Sequence, residues 1–255
     1  MRGLIGKVAI VAGGAGGIGT ATSVRLGEEG VMVVVGDINA AAAEEVAGRI
    51  ISQGGRAIGC HSDISDEEQV RDLVERAVKE FGQLDIFHAN AADLAPDNVG
   101  RDSDALDIPL EVFDRTIAVN LRGHLLGARH AVPEMLKRGG GALVFTSSGA
   151  AFMGEPTRPA YAMAKSGVNA LVRHIASRWG QEGIRANAVA PGLVLTDTAR
   201  AHLSPESVEQ FLQATRSRRL GRPEDIAAMV AFLASDDGEW VNGQVFGVDG
   251  GLLLR

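Results

Sequence analysis

The chain has little of several things. Cysteine occurs once, at Cys60, in 255 residues. That excludes an internal disulfide framework and suits a reducing compartment. Aromatic residues make up 4%, with one tyrosine among them. No apolar run approaches the roughly 20 residues of a membrane-spanning helix, and the opening "MRGLIGKVAIVAGG" lacks the long apolar segment of a secretory leader. Net charge is −7 without a basic stripe, which argues against nucleic acid as a partner. No proline- or serine-rich linker divides the chain, and no repeat of fixed period stands out. What remains is globular, 45% hydrophobic and 22% charged, with ample material for a core. The expectation is one domain over 1–255, in a cytoplasmic protein.

Short apolar runs alternate with longer amphipathic ones. Strands are expected at 7–12, 31–36, 56–60, 84–89, 141–147, 184–190 and 243–248. Between the early ones lie helical stretches. One ends at Gly30, one starts at a cap on Asn39, and one opens on Ser65 with Glu68 three residues on, a capping-box pattern. Continuous apolar strands separated by helices predict an α/β fold of Rossmann type. It is a doubly wound parallel sheet of seven strands with helices on both faces. Two segments break the rhythm. "DLAPDNVGRDSDALDIP" (93–109) is acidic and lacks helical period, so it reads as a solvated loop or as a rim of the substrate site. The segment 196–223 reads as one or two inserted helices, the second opened by Ser204-Pro205, with 197–218 as a substrate lid.

"AGGAGGIG" (12–19) follows the first strand and opens the first helix, the context in which a glycine-rich run holds a pyrophosphate on a helix N-terminus. Gly14, Gly16 and Gly19 fit G-x-G-x-x-G, and Gly13, Gly17 and Gly19 fit G-x-x-x-G-x-G. The pattern alone leaves both open. Asp37 ends the second strand, placed to accept hydrogen bonds from an adenosine ribose and to repel a 2′-phosphate. It could instead help Asn39 cap the next helix. Ile38 and the turn supply no compensating cation, which favours NAD(H) over NADP(H).

"AYAMAKSG" (160–167) holds the one tyrosine, with Lys165 four residues after Tyr161. On a helix the two share a face. A half-buried tyrosine beside a snorkelling lysine is one reading. The other is a phenol acidified for proton transfer. A cation about 6 Å away at an effective dielectric of about 20 contributes roughly 3 kcal/mol, enough to draw the phenol toward neutrality.

The residues together resemble the short-chain dehydrogenase/reductase family over essentially the whole chain. "AGGAGGIG" is similar to its T-G-x-x-x-G-I-G turn, which selects Gly13, Gly17, Ile18 and Gly19. "SDIS" resembles the adenine-binding element, with Asp63 and Ile64. "HANAA" stands at the N-N-A-G position, with Asn90 as its second asparagine. "VNLRG", "FTSSGA" and "YAMAK" place Asn120, Ser148, Tyr161 and Lys165 at the catalytic positions; spacing from the tyrosine selects Ser148 over Ser147. "APGLVLTD" resembles P-G-x-x-x-T, with Pro191, Gly192 and Thr196. Ala12, Ala89 and Ala92 depart from the motifs; the first two remove side-chain hydrogen bonds that support the turn, so a less rigid join is expected there.

The resemblance implies an NAD(H)-dependent oxidoreductase that interconverts a secondary alcohol and a ketone. Tyr161 would be the general acid/base, Lys165 would tune it and hold the nicotinamide ribose, and Ser148 would bond the substrate oxygen. Asn120 would hold a relay water, and Thr196 with the backbone near Leu195 would hold the carboxamide. Asp37 counts against the alternative of a 3-oxoacyl-carrier-protein reductase, which usually takes NADPH. The intact Tyr–Lys–Ser–Asn set counts against a non-catalytic dinucleotide-binding regulator. His61, His88, His124, His130, His174 and His202 are scattered without ligand spacing, so no metal is expected. Phe152 and Met153 suggest a partly apolar pocket and a hydrophobic or cyclic alcohol. The expected assembly is a homotetramer, motivated by small residues along 111–137 and by the apolar end "GGLLLR".

Overall fold

All seven expected runs form strands, and every pairing between them is parallel. The computed structural model describes residues 1–254, the side chain of residue 202 excepted; His202 and the last residue of "GGLLLR" thus lie outside the described side chains. In chain order the strands are β1 (Val8–Ala12), β2 (Met32–Asp37), β3 (Arg56–His61), β4 (Ile86–Ala89), β5 (Gly141–Thr146), β6 (Ile184–Pro191) and β7 (Val245–Val248). The spatial order is β3-β2-β1-β4-β5-β6-β7. It reverses between β1 and β4, so a crevice opens at their carboxyl ends, beside Ala12 and Ala89.

The helices are α1 (Gly17–Glu28), α2 (Ala40–Ser52), α3 (Glu67–Phe81), α4 (Pro96–Val99), α5 (Leu110–Ile117), α6 (Gly123–Leu136), α7 (Pro159–Trp179), α8 (Asp197–His202), α9 (Pro205–Ala214) and α10 (Pro223–Ala234). One strand feeds two cores, because successive side chains point to opposite faces. Val8 and Ile10 of β1 pack with Leu73, Leu126 and Val172 from α3, α6 and α7. Ala9 and Val11 pack with Leu26, Ile50 and Ala231 from α1, α2 and α10.

Three local expectations need correction. The cap of α3 is Asp66, whose carboxylate accepts the N–H groups of Glu68 and Gln69. Ser65 is occupied instead by Asp63, which accepts both its N–H and its hydroxyl. The stretch 111–137, whose small residues on one face suit a single long helix, is interrupted by a π-helical stretch at Ala118–Arg122. Segment 93–109 is not simply solvated: Asn98 and Asp102 are buried, and Pro96–Val99 is helical. Two caps follow expectation. Asn39 accepts the N–H of Ala42, and Ser204 accepts that of Ser207 ahead of Pro205.

Candidate active site

The glycine-rich turn leaves the end of β1 and enters α1. A Cβ on Gly17 would lie 2.5 Å from the Thr196 methyl, one on Gly19 1.9 Å from the Gly13 carbonyl and one on Gly14 2.8 Å from the Val11 carbonyl, whereas one on Gly16 would meet only the Gly13 carbonyl at 3.9 Å. Gly16 is thus the one glycine of the two patterns that a side chain could replace, which favours G-x-x-x-G-x-G over G-x-G-x-x-G. Gly13 adds a φ of +75°, with Ala91 packed where a side chain would stand. The N-cap of α1 is Gly16, with no side-chain cap. Its first amides and the positive end of its dipole are left for an anion. A cleft of about 660 Å³ runs from this turn to Leu195, Thr196 and the start of α10 at Arg222.

Asp37 takes one of the two roles the sequence left open, the brace at Asn39, and adds a tie to the glycine turn. One carboxylate oxygen accepts the Ala15 N–H at 3.0 Å and ties β2 to the turn. The other accepts the Asn39 N–H at 3.0 Å. A carboxylate has about four acceptor positions, so two remain for a diol. Ile38 sits exposed beside it. Across the crevice, Asn90 donates to the Gly13 carbonyl at 2.9 Å and accepts from the Thr146 hydroxyl at 3.0 Å; His88 Nε2 lies 3.1 Å from that same hydroxyl. Beside Ala12 and Ala89, a His88–Thr146–Asn90–Gly13 chain, buried at His88 and Thr146 and half-buried at Asn90 and Gly13, joins the strand ends to the turn. Asp63 accepts from Ser65 at the rim, and Ile64 turns its side chain into the core, which leaves only its backbone for a ligand. Pro191 ends β6, and the Gly192 N–H donates to Val248. The Thr196 hydroxyl caps α8 through the Ala199 N–H.

Tyr161 and Lys165 lie one turn apart on α7, and the ammonium is 5.7 Å from the phenol ring centre. Ser148 follows β5 and hydrogen-bonds the phenol. Ser147 points the other way, bonded to Asn169 at 2.7 Å. Asn120 lies within the π-helical stretch and is fully buried. Such one-turn expansions cluster at functional sites. Its side-chain oxygen accepts the Asp93 N–H at 2.8 Å, and its amide nitrogen has no partner among the described residues.

The electrostatics differ from the simple picture in which Lys165 acidifies Tyr161. Burial is the strongest influence on the phenol and raises its pKa; the hydrogen bond from Ser148 and the charge of Arg158 lower it, and Glu155 raises it. Lys165 is buried and donates to the Thr146 carbonyl at 2.8 Å. Desolvation brings its pKa to about 7. A second cation stands over the ring beside Lys165: the Arg158 guanidinium lies 6.0 Å from the ring centre.

Arg158 and Asp102 were not foreseen. Both Asp102 oxygens accept from the start of α7, one from the Ala160 N–H at 3.1 Å and one from the Tyr161 N–H at 2.9 Å. Nothing in the sequence distinguishes this aspartate from its acidic neighbours. Arg158 did carry a signal. Pro159 marks the first helical position, so Arg158 is the N-cap. A cation at the positive end of a helix, where Ser, Thr, Asp, Asn or Gly is preferred, breaks a local rule.

A family model described as enoyl-(acyl carrier protein) reductase matches residues 13–253. A probable short-chain type dehydrogenase/reductase of Bradyrhizobium diazoefficiens is 42% identical over 252 residues, 98% of this chain and 88% of the relative. The chain belongs to the short-chain dehydrogenase/reductase family. It is an oxidoreductase of that family, with the seven-stranded Rossmann-like sheet of its members. A cis-4-hydroxycyclohexanecarboxylate dehydrogenase of Sinomonas cyclohexanicum is 39% identical over 246 residues, 96% of each chain. A solved 7α-hydroxysteroid dehydrogenase, complexed with NADH and 7-oxo glycochenodeoxycholic acid, superposes with a TM-score of 0.91 at 36% identity. It covers 100% of this chain and 97% of that one. No helix among the described residues is long and apolar enough to cross a membrane.

Proposed function

We propose that this short-chain oxidoreductase uses NAD(H) to interconvert a ring-borne secondary alcohol and its ketone, with Tyr161 as the proton carrier. The observation that carries the reading is the convergence of Tyr161, Ser148 and Lys165 beside a glycine turn whose helix start is left uncapped. The turn suits a dinucleotide: Gly13, Gly17 and Gly19 admit close backbone approach, and Asp37 keeps acceptor capacity for a ribose diol. When bound, the nicotinamide accepts or delivers the hydride. Tyr161 takes the hydroxyl proton in oxidation and returns it in reduction. Ser148 donates to the substrate oxygen and stabilises the charge that develops there. Lys165 offers its ammonium to the ribose side of the site. The unpartnered amide of Asn120 is a buried donor, which a relay water would satisfy. Thr196 and the backbone at Leu195 line the carboxamide end.

The ring-alcohol preference is supported by two relatives whose names specify hydroxyl groups on rings. Phe152 and Met153 are partly exposed beside Ser148, as apolar walls would be. Segment 197–218 serves as the lid, since α9 buries none of its residues and can open at low cost. The assembly is read as a homotetramer in a cytoplasmic setting; exposed Trp240 and Leu254 support contact with a second copy. The test is turnover of NAD and NADP with a panel of cyclic and acyclic secondary alcohols. Turnover confined to NADP, or to acyl thioesters, would overturn the reading.

A further inference from the structure

We propose that Arg158, its backbone held by segment 93–109 and its guanidinium standing over the face of Tyr161, is a positioning residue: a positive charge that helps ready the phenol to lose its proton. Three geometric observations carry this. Arg158 is the only non-glycine residue among those described with a positive φ, at 64°. Side-chain-bearing residues avoid that region, and glycine would occupy it freely. Its N–H donates to the carbonyls of Asp102 at 2.9 Å and Ser103 at 3.1 Å, both in the inserted segment. Its guanidinium then lies 6.0 Å from the Tyr161 ring centre and pairs with Glu155. A strained backbone that places a cation on the catalytic ring is the kind of local cost kept where it serves function.

Two cations stand over the phenol ring, the Lys165 ammonium 5.7 Å from its centre and the Arg158 guanidinium 6.0 Å. Lys165 is bonded to the Thr146 carbonyl, and desolvation draws its pKa down to about 7. Arginine stays protonated throughout. Arg158 is thus a second, permanent charge on the ring, three residues before the phenol. The groups facing Tyr161 are Ser148 from the end of β5, Glu155 and Arg158 from the preceding loop, Asp102 from the inserted segment at its backbone, and Lys165 on its own helix. Of these charges, Arg158 lowers the phenol's pKa and Glu155 raises it.

The proposal rests on Tyr161 being the proton carrier, and its first readout does not depend on that. Tyr161 is the one tyrosine of the chain. Its tyrosinate absorbance after a pH jump needs no assignment, with Tyr161→Phe as the blank. Arg158→Gly, which suits the positive φ, should raise the midpoint by at least about half a pH unit while the melting temperature holds or rises. Arg158→Lys should restore most of the wild-type midpoint. Glu155→Gln should move it the opposite way, downward. The rising limb of kcat/KM for alcohol oxidation should follow each shift. A midpoint unmoved in both Arg158→Gly and Glu155→Gln overturns the proposal. So does a midpoint that moves while the activity profile does not. Failure of the wider functional reading looks different: full activity in Tyr161→Phe.

Discussion

The carboxylate of Asp102 accepts the backbone N–H of Tyr161 at 2.9 Å, across 59 residues of chain. The inserted acidic segment therefore fixes where the catalytic helix begins. Asp102→Ala removes two charge-assisted bonds from a buried position and should cost about 2 kcal/mol of stability, by urea unfolding. Freed of its anchor, the phenol should sit less well, and kcat should fall roughly tenfold with the cofactor KM little changed. Asp102→Asn, which keeps one acceptor, should fall between. Unchanged stability and unchanged kcat in Asp102→Ala would remove the anchoring role.

Cofactor choice should rest on Asp37. A ribose diol can donate to its free lone pairs, with bonds to a carboxylate contributing about 1.5–3 kcal/mol. A 2′-phosphate would meet repulsion and lose them. The preference for NAD(H) in kcat/KM should be on the order of 100-fold, since each 1.4 kcal/mol is about tenfold. Asp37→Ser with Ile38→Arg should narrow or reverse it, because arginine pairs with phosphate bidentately. Part of the loss with NAD will come from the severed Ala15 tie, and Asp37→Asn measures that part. Equal use of both cofactors by the wild type would leave Asp37 as a turn brace alone.

Acid stability should report the buried histidines. His88 and His124 are fully buried, and desolvation pushes each to a pKa of about 3. The unfolded chain binds their protons near pH 6.5. Between those values the unfolded state holds more protons, so stability is present above about pH 6.5 and is lost as pH falls. The loss should reach about 2 kcal/mol per histidine by roughly pH 5. His88→Gln, which keeps a donor toward Thr146 and cannot titrate there, should remove about half of the combined histidine loss. An acid slope identical to wild type in that variant would show that His88 ionises in place.

Much of the fold could be read directly, because the five inner strands are apolar runs that the parallel sheet buries, with β3 and β7 half-covered at its edges, and helix caps such as Asn39 and Ser204 act locally. Where reading failed, competing contacts decided, some local and some long-range. Ser65 lost the α3 cap to Asp66 because its neighbour Asp63 occupies it. The π-helical stretch at Asn120 has no propensity signature; it exists where the Asn120 oxygen meets the Asp93 N–H. The quartet proposed for catalysis was picked out by motif spacing, which carries nothing of its electrostatics. How far Lys165 and Arg158 each charge the phenol depends on burial, which spacing does not encode.

The proposed assembly would cover exposed apolar residues, Trp240 at 99% and Leu254 at 78% exposure. Light scattering at micromolar concentration should return the mass of four chains. Trp240→Glu should shift that mass downward. A monomer mass for the wild type would withdraw the tetramer.

The central claim is that the Tyr161 hydroxyl carries the proton. Tyr161→Phe keeps the ring, its packing under Arg158 and its place on α7, and removes only the oxygen. The decisive measurement is kcat for alcohol oxidation in this variant, with NAD(H) binding followed in parallel by calorimetry. We expect kcat to fall at least about 100-fold with cofactor affinity within a few-fold of wild type, as loss of general acid–base catalysis requires. A kcat close to wild type would contradict the account.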